Sequence, residues 1–145
     1  PFAGGRAGEI LSAPKVYGFD TGFVACFRGW RELRPDDCGV LWEHLVLNEI
    51  QASRQARDLR YWRDTRGHEV DFVHAPPGRA PVAIECKWRA AAFEWDGLRA
   101  FRGRHPLGAN WLVAADVERP YVLRRGGLAI ECIGLAECGR RVARG

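Results

Sequence analysis

Apolar and polar positions along the 145-residue chain change period several times, and each change marks an element. In Val40 to Ser53, Val40, Glu43, Leu47 and Ile50 recur at steps of three and four, the spacing of one helical stripe, with Val46 flanking it. Glu43 is thus a carboxylate set in an apolar face. His44, Asn48, Gln51 and Gln55 fall on a polar stripe, so His44 fits a surface histidine or one that approaches a substrate. Arg34 to Gly39 reads as the turn that launches this helix, with Asp36 or Asp37 as its cap.

Leu59 to Arg63 and Glu69 to His74 read as two short strands joined by the turn residues Asp64-Thr65-Arg66-Gly67. Pro81 to Trp88 alternates: Val82, Ile84 and Cys86 point one way, and Ala83, Glu85 and Lys87 the other. Phe93 to Phe101 predicts a second helix, and the apolar run Ala109 to Ala115 a buried strand. Tyr121–Leu123 and Leu128–Ile133 form a closing hairpin around Arg124-Arg125-Gly126-Gly127. Lys15 to Phe27 reads as a short strand, a turn at Asp20-Thr21-Gly22, and a helical or extended piece. The pattern predicts an α/β fold: helix, three strands, helix, strand, then a C-terminal hairpin, with a mixed sheet flanked by helices. Residues 1–14 are expected to be an irregular lead-in, 15–138 the domain, and 139–145 a frayed basic tail.

Composition narrows the classes. Hydrophobic residues make up 47% and aromatics 11%, enough for a core and against disorder. No apolar run exceeds the five residues from Trp111 to Ala115, so neither a transmembrane helix nor a signal peptide is expected, and no membrane partner. The chain begins at Pro1 and contains no Met, which predicts a piece of a longer protein. Five cysteines, odd in number and without a C-x-x-C, argue against a zinc ribbon or a disulfide framework and for a reducing cytoplasm. The net charge of +4 permits a polyanionic partner without showing one.

One bias is informative. Of the 22 basic residues only Lys15 and Lys87 are lysines; the rest are arginines. A lysine here hints at a place that needs a compact ammonium rather than a planar fork.

Glu85 and Lys87 share a strand face, and Asp71 lies on the preceding strand. If those strands are neighbours, Asp71, Glu85 and Lys87 converge, and Glu43 covers the same face from the helix. Three carboxylates with one ammonium need neutralising when buried, and a divalent cation with oxygen ligands does this. The chemistry that fits is phosphodiester hydrolysis. Asp71 and Glu85 would hold Mg²⁺ or Mn²⁺, with the backbone carbonyl of Cys86 as a third ligand, and Lys87 would act as a point charge. Glu43 would bind a second metal, or bind through water. Taken singly, each acid also fits an ordinary ion pair with Arg; the combination of a helix acid with D-x13-E-x-K is more specific.

That pattern resembles the PD-(D/E)XK nuclease superfamily, whose core is helix, three strands, helix, strand. Four segments, PKVYGFDTGF (14–23), GVLWEHLVLNEI (39–50), YWRDTRGHEVDFV (61–73) and VAIECKW (82–88), look like the C-terminal domain of bacterial and archaeal AAA-type ATPases, long listed as of unknown function. The resemblance implies a restriction-endonuclease-like core, catalytic residues at Glu43, Asp71, Glu85 and Lys87, DNA as substrate, and an ATPase module N-terminal to this segment as partner. No G-x-x-x-x-G-K-[ST] is present, so ATP hydrolysis is not expected of these residues. The alternative is a catalytically inactive module that binds nucleic acid or a partner of the ATPase on the same scaffold, or an assembly domain with an apolar, Trp-rich docking patch.

Arg54, Arg57, Arg60, Arg63 and Arg66 form one basic cluster and Arg99, Arg102 and Arg104 another. Of these, Arg60, Arg63, Arg66 and Arg102 are the candidates for tracking a phosphate backbone, against the alternative of a solvated Arg-rich face. His68 in the hairpin turn fits either a substrate contact or the surface, and Trp88, directly after Lys87, is a candidate base-stacking residue.

Overall fold

The computed structural model describes Phe2, residues 15–53 and residues 58–144. Residues 3–14, with most of the expected lead-in, and Arg54 and Arg57 lie outside the described residues.

Six strands form one mixed sheet in the order β1-β2-β3-β4-β6-β5. They are β1 (Leu59–Arg63), β2 (Glu69–His74), β3 (Val82–Lys87), β4 (Asn110–Ala114), β5 (Tyr121–Arg125) and β6 (Leu128–Ile133). β1, β2 and β3 run as an antiparallel meander. β4 lies parallel to β3 and β6 parallel to β4, while β5 closes the far edge antiparallel to β6. Asp64 fixes the first hairpin: its carboxylate accepts the N–H groups of Arg66 at 2.8 Å and His68 at 3.0 Å, and contacts the His68 ring at 2.9 Å. Those bonds, the His68 ring foremost, hold the Asp64 carboxyl down at about 2 and make His68 a part of the turn. In the last hairpin both turn residues, Gly126 and Gly127, have positive φ (57° and 80°), the conformation a two-residue turn between twisted strands needs.

Among the described residues four helices accompany the sheet: α1 (Thr21–Phe27), α2 (Pro35–Ser53), α3 (Trp95–Arg104) and α4 (Leu135–Arg144), with a short 3₁₀ turn at Ala90–Ala92. α2 and α4 pack on one face, where Trp42, Val46 and Ile50 meet Phe72, Ile84, Cys86, Val113 and Val142. α3 covers the other face, where Leu98 and Phe101 meet Trp62, Val70, Val73, Ala83 and Leu112. The alternation expected of β3 holds here: Ile84 and Cys86 face α2, Ala83 faces α3.

Four expectations change. α2 begins at Pro35, so Asp36 and Asp37 lie in its first turn, where carboxylates oppose the helix dipole, and Asp37 accepts the Arg34 backbone N–H at 3.0 Å. Its buried stripe runs through Trp42, Val46 and Ile50, and His44 is buried beside it rather than at the surface. Residues 15–18 form no strand, and the expected turn at Asp20 is the N-cap of α1, with the Asp20 carboxylate accepting from the Phe23 N–H at 3.0 Å. Residues 139–144 of the expected basic tail are helical rather than frayed. They continue α4, with Cys138 and Val142 fully buried and Arg141 bonded to Glu131 at 2.7 Å and to Glu137 at 2.8 Å. No helix among the described residues is long and apolar enough to cross a membrane.

Candidate functional site

The site forms where β2 and β3 part. Their ladder runs from His74 opposite Val82 to Phe72 opposite Ile84. At the next step the Cys86 N–H donates instead to the side chain of Asp71, at 2.9 Å. On its other side β2 is bulged: Arg60 faces Val73 and Trp62 faces Val70, so three steps of β2 span two of β1. An extra residue at this point re-aims the neighbouring side chains. Val70 and Val73 accordingly both face α3, three residues apart. Asp71 is left in the gap, close enough to Glu85 for a hydrogen bond between the two side chains.

Both carboxyls are largely buried, and burial is the main reason both titrate above the ordinary range. For Asp71 the charge of Glu43 adds to it, and for Glu85 the charge of Asp71. Lys87 brings its ammonium to 3.8 Å from Glu85 Oε2. Burial alone would lower its pKa, but Asp71 and Glu85 outweigh that and hold it above the usual lysine value.

The second lysine is here too. Lys15 Nζ lies 3.2 Å from Glu43 Oε1, 3.5 Å from Glu69 Oε2 and 3.6 Å from Asp71 Oδ1. The Tyr17 hydroxyl donates to the same Glu43 oxygen at 2.5 Å, and burial and that contact raise its pKa. α2 binds the segment down with polar side chains from two successive turns. Glu43 takes Lys15 and Tyr17, His44 Nδ1 accepts the Gly18 N–H at 3.0 Å, and Asn48 donates to the Phe19 carbonyl at 2.6 Å. Gly18 is required in this strap because a Cβ there would sit 2.4 Å from the branched side chain of Val24. The cluster therefore holds four carboxylates (Glu43, Glu69, Asp71, Glu85) and both lysines, where the sequence predicts three and one. Arg63 joins it through an ion pair to Glu69. Glu69 and Tyr17 carried no signal in the sequence, and for Lys15 the only one was the scarcity of lysine.

A cleft of about 450 Å³ opens onto the cluster, lined by Glu43, Asp71, Cys86 and Lys87 and rimmed by Trp88 and Arg89. Trp88 is 40% exposed there and meets Trp42 edge-on at 5.9 Å, and the Trp42 indole N–H is fixed to the Val113 carbonyl at 2.9 Å. Among the described residues no three side chains of His, Cys, Asp or Glu gather as a ready-made metal cage. The donor chemistry still suits a hard cation, because the carboxyls of Asp71 and Glu85 adjoin, Lys15 and Lys87 offset their repulsion only in part, and Mg²⁺ asks for only one or two carboxylates besides water.

The arginine candidates separate. Arg66 sits at the exposed tip of the first hairpin, and Arg63 is half-exposed and paired with Glu69. Arg60, on the outward side of β1, lines a second cleft of about 280 Å³ with Lys15, Tyr17 and Tyr61. Arg102 does not belong with them: it is 5% exposed and lies on the far side of the sheet with α3. It donates to Asn110 Oδ1 at 2.6 Å and to the carbonyls of His105, Leu107, Pro81 and Ala109. These contacts occupy all five guanidinium N–H groups, leaving none for a phosphate.

No curated protein matches the chain. Among solved structures it is similar to a chain of the refined half-complex from the tetradecameric assembly of Thermococcus gammatolerans McrB AAA+ hexamers with bound McrC, with a TM-score of 0.51 and 11% identity. The match covers 73% of this chain and 32% of that one, so the present chain spans about a third of its neighbour's length, and the likeness is one of fold. The family comparison is more direct. Residues 38–130, from the first turns of α2 to the middle of β6 and including Glu43, Asp71, Glu85 and Lys87, match the model described as "Domain of unknown function (DUF4143)", and the chain belongs to that family.

Proposed function

We propose that this chain is a nuclease-like domain that hydrolyses DNA phosphodiester bonds with Mg²⁺ or Mn²⁺, in a restriction-endonuclease-like arrangement of Glu43, Asp71, Glu85 and Lys87. The observation that carries the reading is the parting of β2 and β3. Asp71 there adjoins Glu85, Lys87 lies 3.8 Å from Glu85, and Asp71 and Lys87 line an open cleft. Asp71, Glu85 and the Cys86 backbone carbonyl would hold the ion. When bound, it would polarise the phosphate and lower the pKa of a water.

The chain's own groups do the rest. Lys87, kept protonated by the two acids, offers a point charge to the phosphate oxygens. Glu43, tied to Lys15 and Tyr17, sets the charge of the cluster from the helix side rather than holding a second ion. Arg60, Arg63 and Arg66, on β1 and its turn, are the basic groups proposed to follow the nucleic-acid backbone. The structural neighbour comes from an AAA+ assembly, which supports an ATPase as the partner of this domain.

A second reading, a non-catalytic partner-binding module, is favoured by one feature. Phe19, Phe23 and Phe27 stand 91%, 67% and 84% exposed on and beside α1, a phenylalanine patch where the sequence suggests a tryptophan one.

Plasmid and single-stranded DNA incubated with the protein in Mg²⁺, Mn²⁺ or chelator separate the two readings. The nuclease reading expects metal-dependent cleavage that is lost in Asp71→Asn and in Glu85→Gln. Absence of cleavage with either metal, or equal cleavage by the variants, favours the partner-binding module.

A further inference from the structure

We infer that Lys15 is the resident cation of the acid cluster, so that the site accepts a single divalent ion, on its Asp71–Glu85 side. This rests on the metal-dependent reading above and specifies its stoichiometry. The ammonium of Lys15 has three N–H donors, and three carboxylates surround it, at 3.2 Å (Glu43), 3.5 Å (Glu69) and 3.6 Å (Asp71). A planar guanidinium cannot meet three acids disposed in this way, which accounts for a lysine in a chain that otherwise uses arginine almost throughout.

The lysine is also held in place. Tyr17, Gly18 and Phe19 are each bonded to α2, so the ammonium is delivered by an anchored segment rather than by a free side chain. Glu43 spends one oxygen on both Lys15 and Tyr17. It is therefore a positioning residue, committed to the lysine. A second divalent ion between Glu43 and Asp71 would have to enter beside a fixed positive charge and displace it. Glu85, beside Asp71, has Lys87 as its ion-pair partner, and Asp71 and Lys87 line the open cleft.

The test is Mn²⁺ binding at neutral pH, read by calorimetry for stoichiometry and by electron paramagnetic resonance for isolated against spin-coupled ions. The native chain is expected to bind one Mn²⁺ with the spectrum of an isolated ion. Lys15→Met, of similar length without the charge, is expected to bind two, with spin coupling between them. Lys15→Gln, which keeps donors for Glu43, gives the same comparison should the methionine variant fail to fold. Two ions in the native chain overturn the inference, as does one ion in the folded variant. No Mn²⁺ in the native chain is a different failure, and it removes the metal-dependent reading itself.

Discussion

Two of the places where the described residues bury charge treat it in opposite ways. On the α3 side Arg102 is a lone cation whose every N–H meets a neutral oxygen, four of them backbone carbonyls from the loop around Pro106 and the end of the β2–β3 connection. Burial draws its pKa down to about 10, which still leaves it charged at neutral pH. On the α2 side four carboxylates and two lysines crowd together, and Asp71 and Glu85 titrate high, chiefly because they are buried and further because Glu43 repels Asp71 and Asp71 repels Glu85. The first arrangement is complete and closes a loop. The second is left unbalanced, and it faces a cleft. A satisfied buried charge marks architecture; an unsatisfied one beside an opening marks a place for a ligand.

The largest effect expected from breaking this contrast is at Arg102. Arg102→Ala leaves four carbonyls and Asn110 without their donor and should cost about 3–5 kcal/mol, which lowers the melting temperature by roughly 10 °C. Arg102→Lys should recover little of it, because an ammonium cannot reproduce the fork. DNA affinity per folded molecule should not change, and a thermal melt paired with a binding isotherm reads both.

Next comes Lys87. Lys87→Arg should lose cleavage almost as completely as Lys87→Ala, roughly a hundredfold or more, while both variants fold. Full activity in the arginine variant would show that only charge matters there.

Smaller is the effect of pH on the chelated protein. Asp71 and Glu85 have folded pKa values above their unfolded ones, so the folded state binds more protons than the unfolded state between the two. Stability should therefore fall as pH rises from the ordinary carboxylate range, about 4, through the raised values. The chelated melting temperature should rise on going from pH 7 to pH 5. The double variant Asp71→Asn/Glu85→Gln should show a flatter profile and equal or greater stability at pH 7, and a steeper one would contradict the like-charge account. Below about pH 4 the trend should reverse, because Asp37, Asp64 and Glu137 have lowered pKa values and lose their partners on protonation.

The smallest effect is at the hairpin tip. Arg66→Ala should leave stability within about 0.5 kcal/mol. If the tip follows a phosphate backbone, the salt dependence of DNA binding should fall by about one unit of slope.

The sheet was legible because its strands alternate or run apolar between clear turn residues: β1, β2 and the final hairpin lie where the sequence puts them. The acids of the proposed site were legible because E-x-K on one strand and an aspartate on its neighbour follow the two-residue period of strands. What stayed hidden has physical reasons. A bulge at Asp71 is one residue of register, and hydrophobic pattern does not record it. The buried stripe of α2 runs through Trp42 and Val46, one residue before Glu43 and Leu47 of the apparent apolar face, and shares only Ile50 with it. His44 looked polar and is buried, because its partner, the Gly18 backbone, comes from a segment without periodicity. Arg102 could not be told from its neighbours in an Arg-rich chain. Nor did spacing place Lys15, 28 residues before Glu43 in an irregular stretch.

That last separation has a kinetic consequence. Lys15 and Tyr17 reach Glu43 across 28 and 26 residues, and Asp71 reaches the Cys86 N–H across 15. Contacts of such sequence distance must wait for the loops between them to close. Until the strap docks on α2, the acids of β2 and β3 meet with Lys87 as their one lysine, so their approach is opposed. The cluster should therefore be among the last parts of the domain to order during refolding and among the first to open by local fluctuation. The exchange rate of the Cys86 amide hydrogen would serve as the clock for both events.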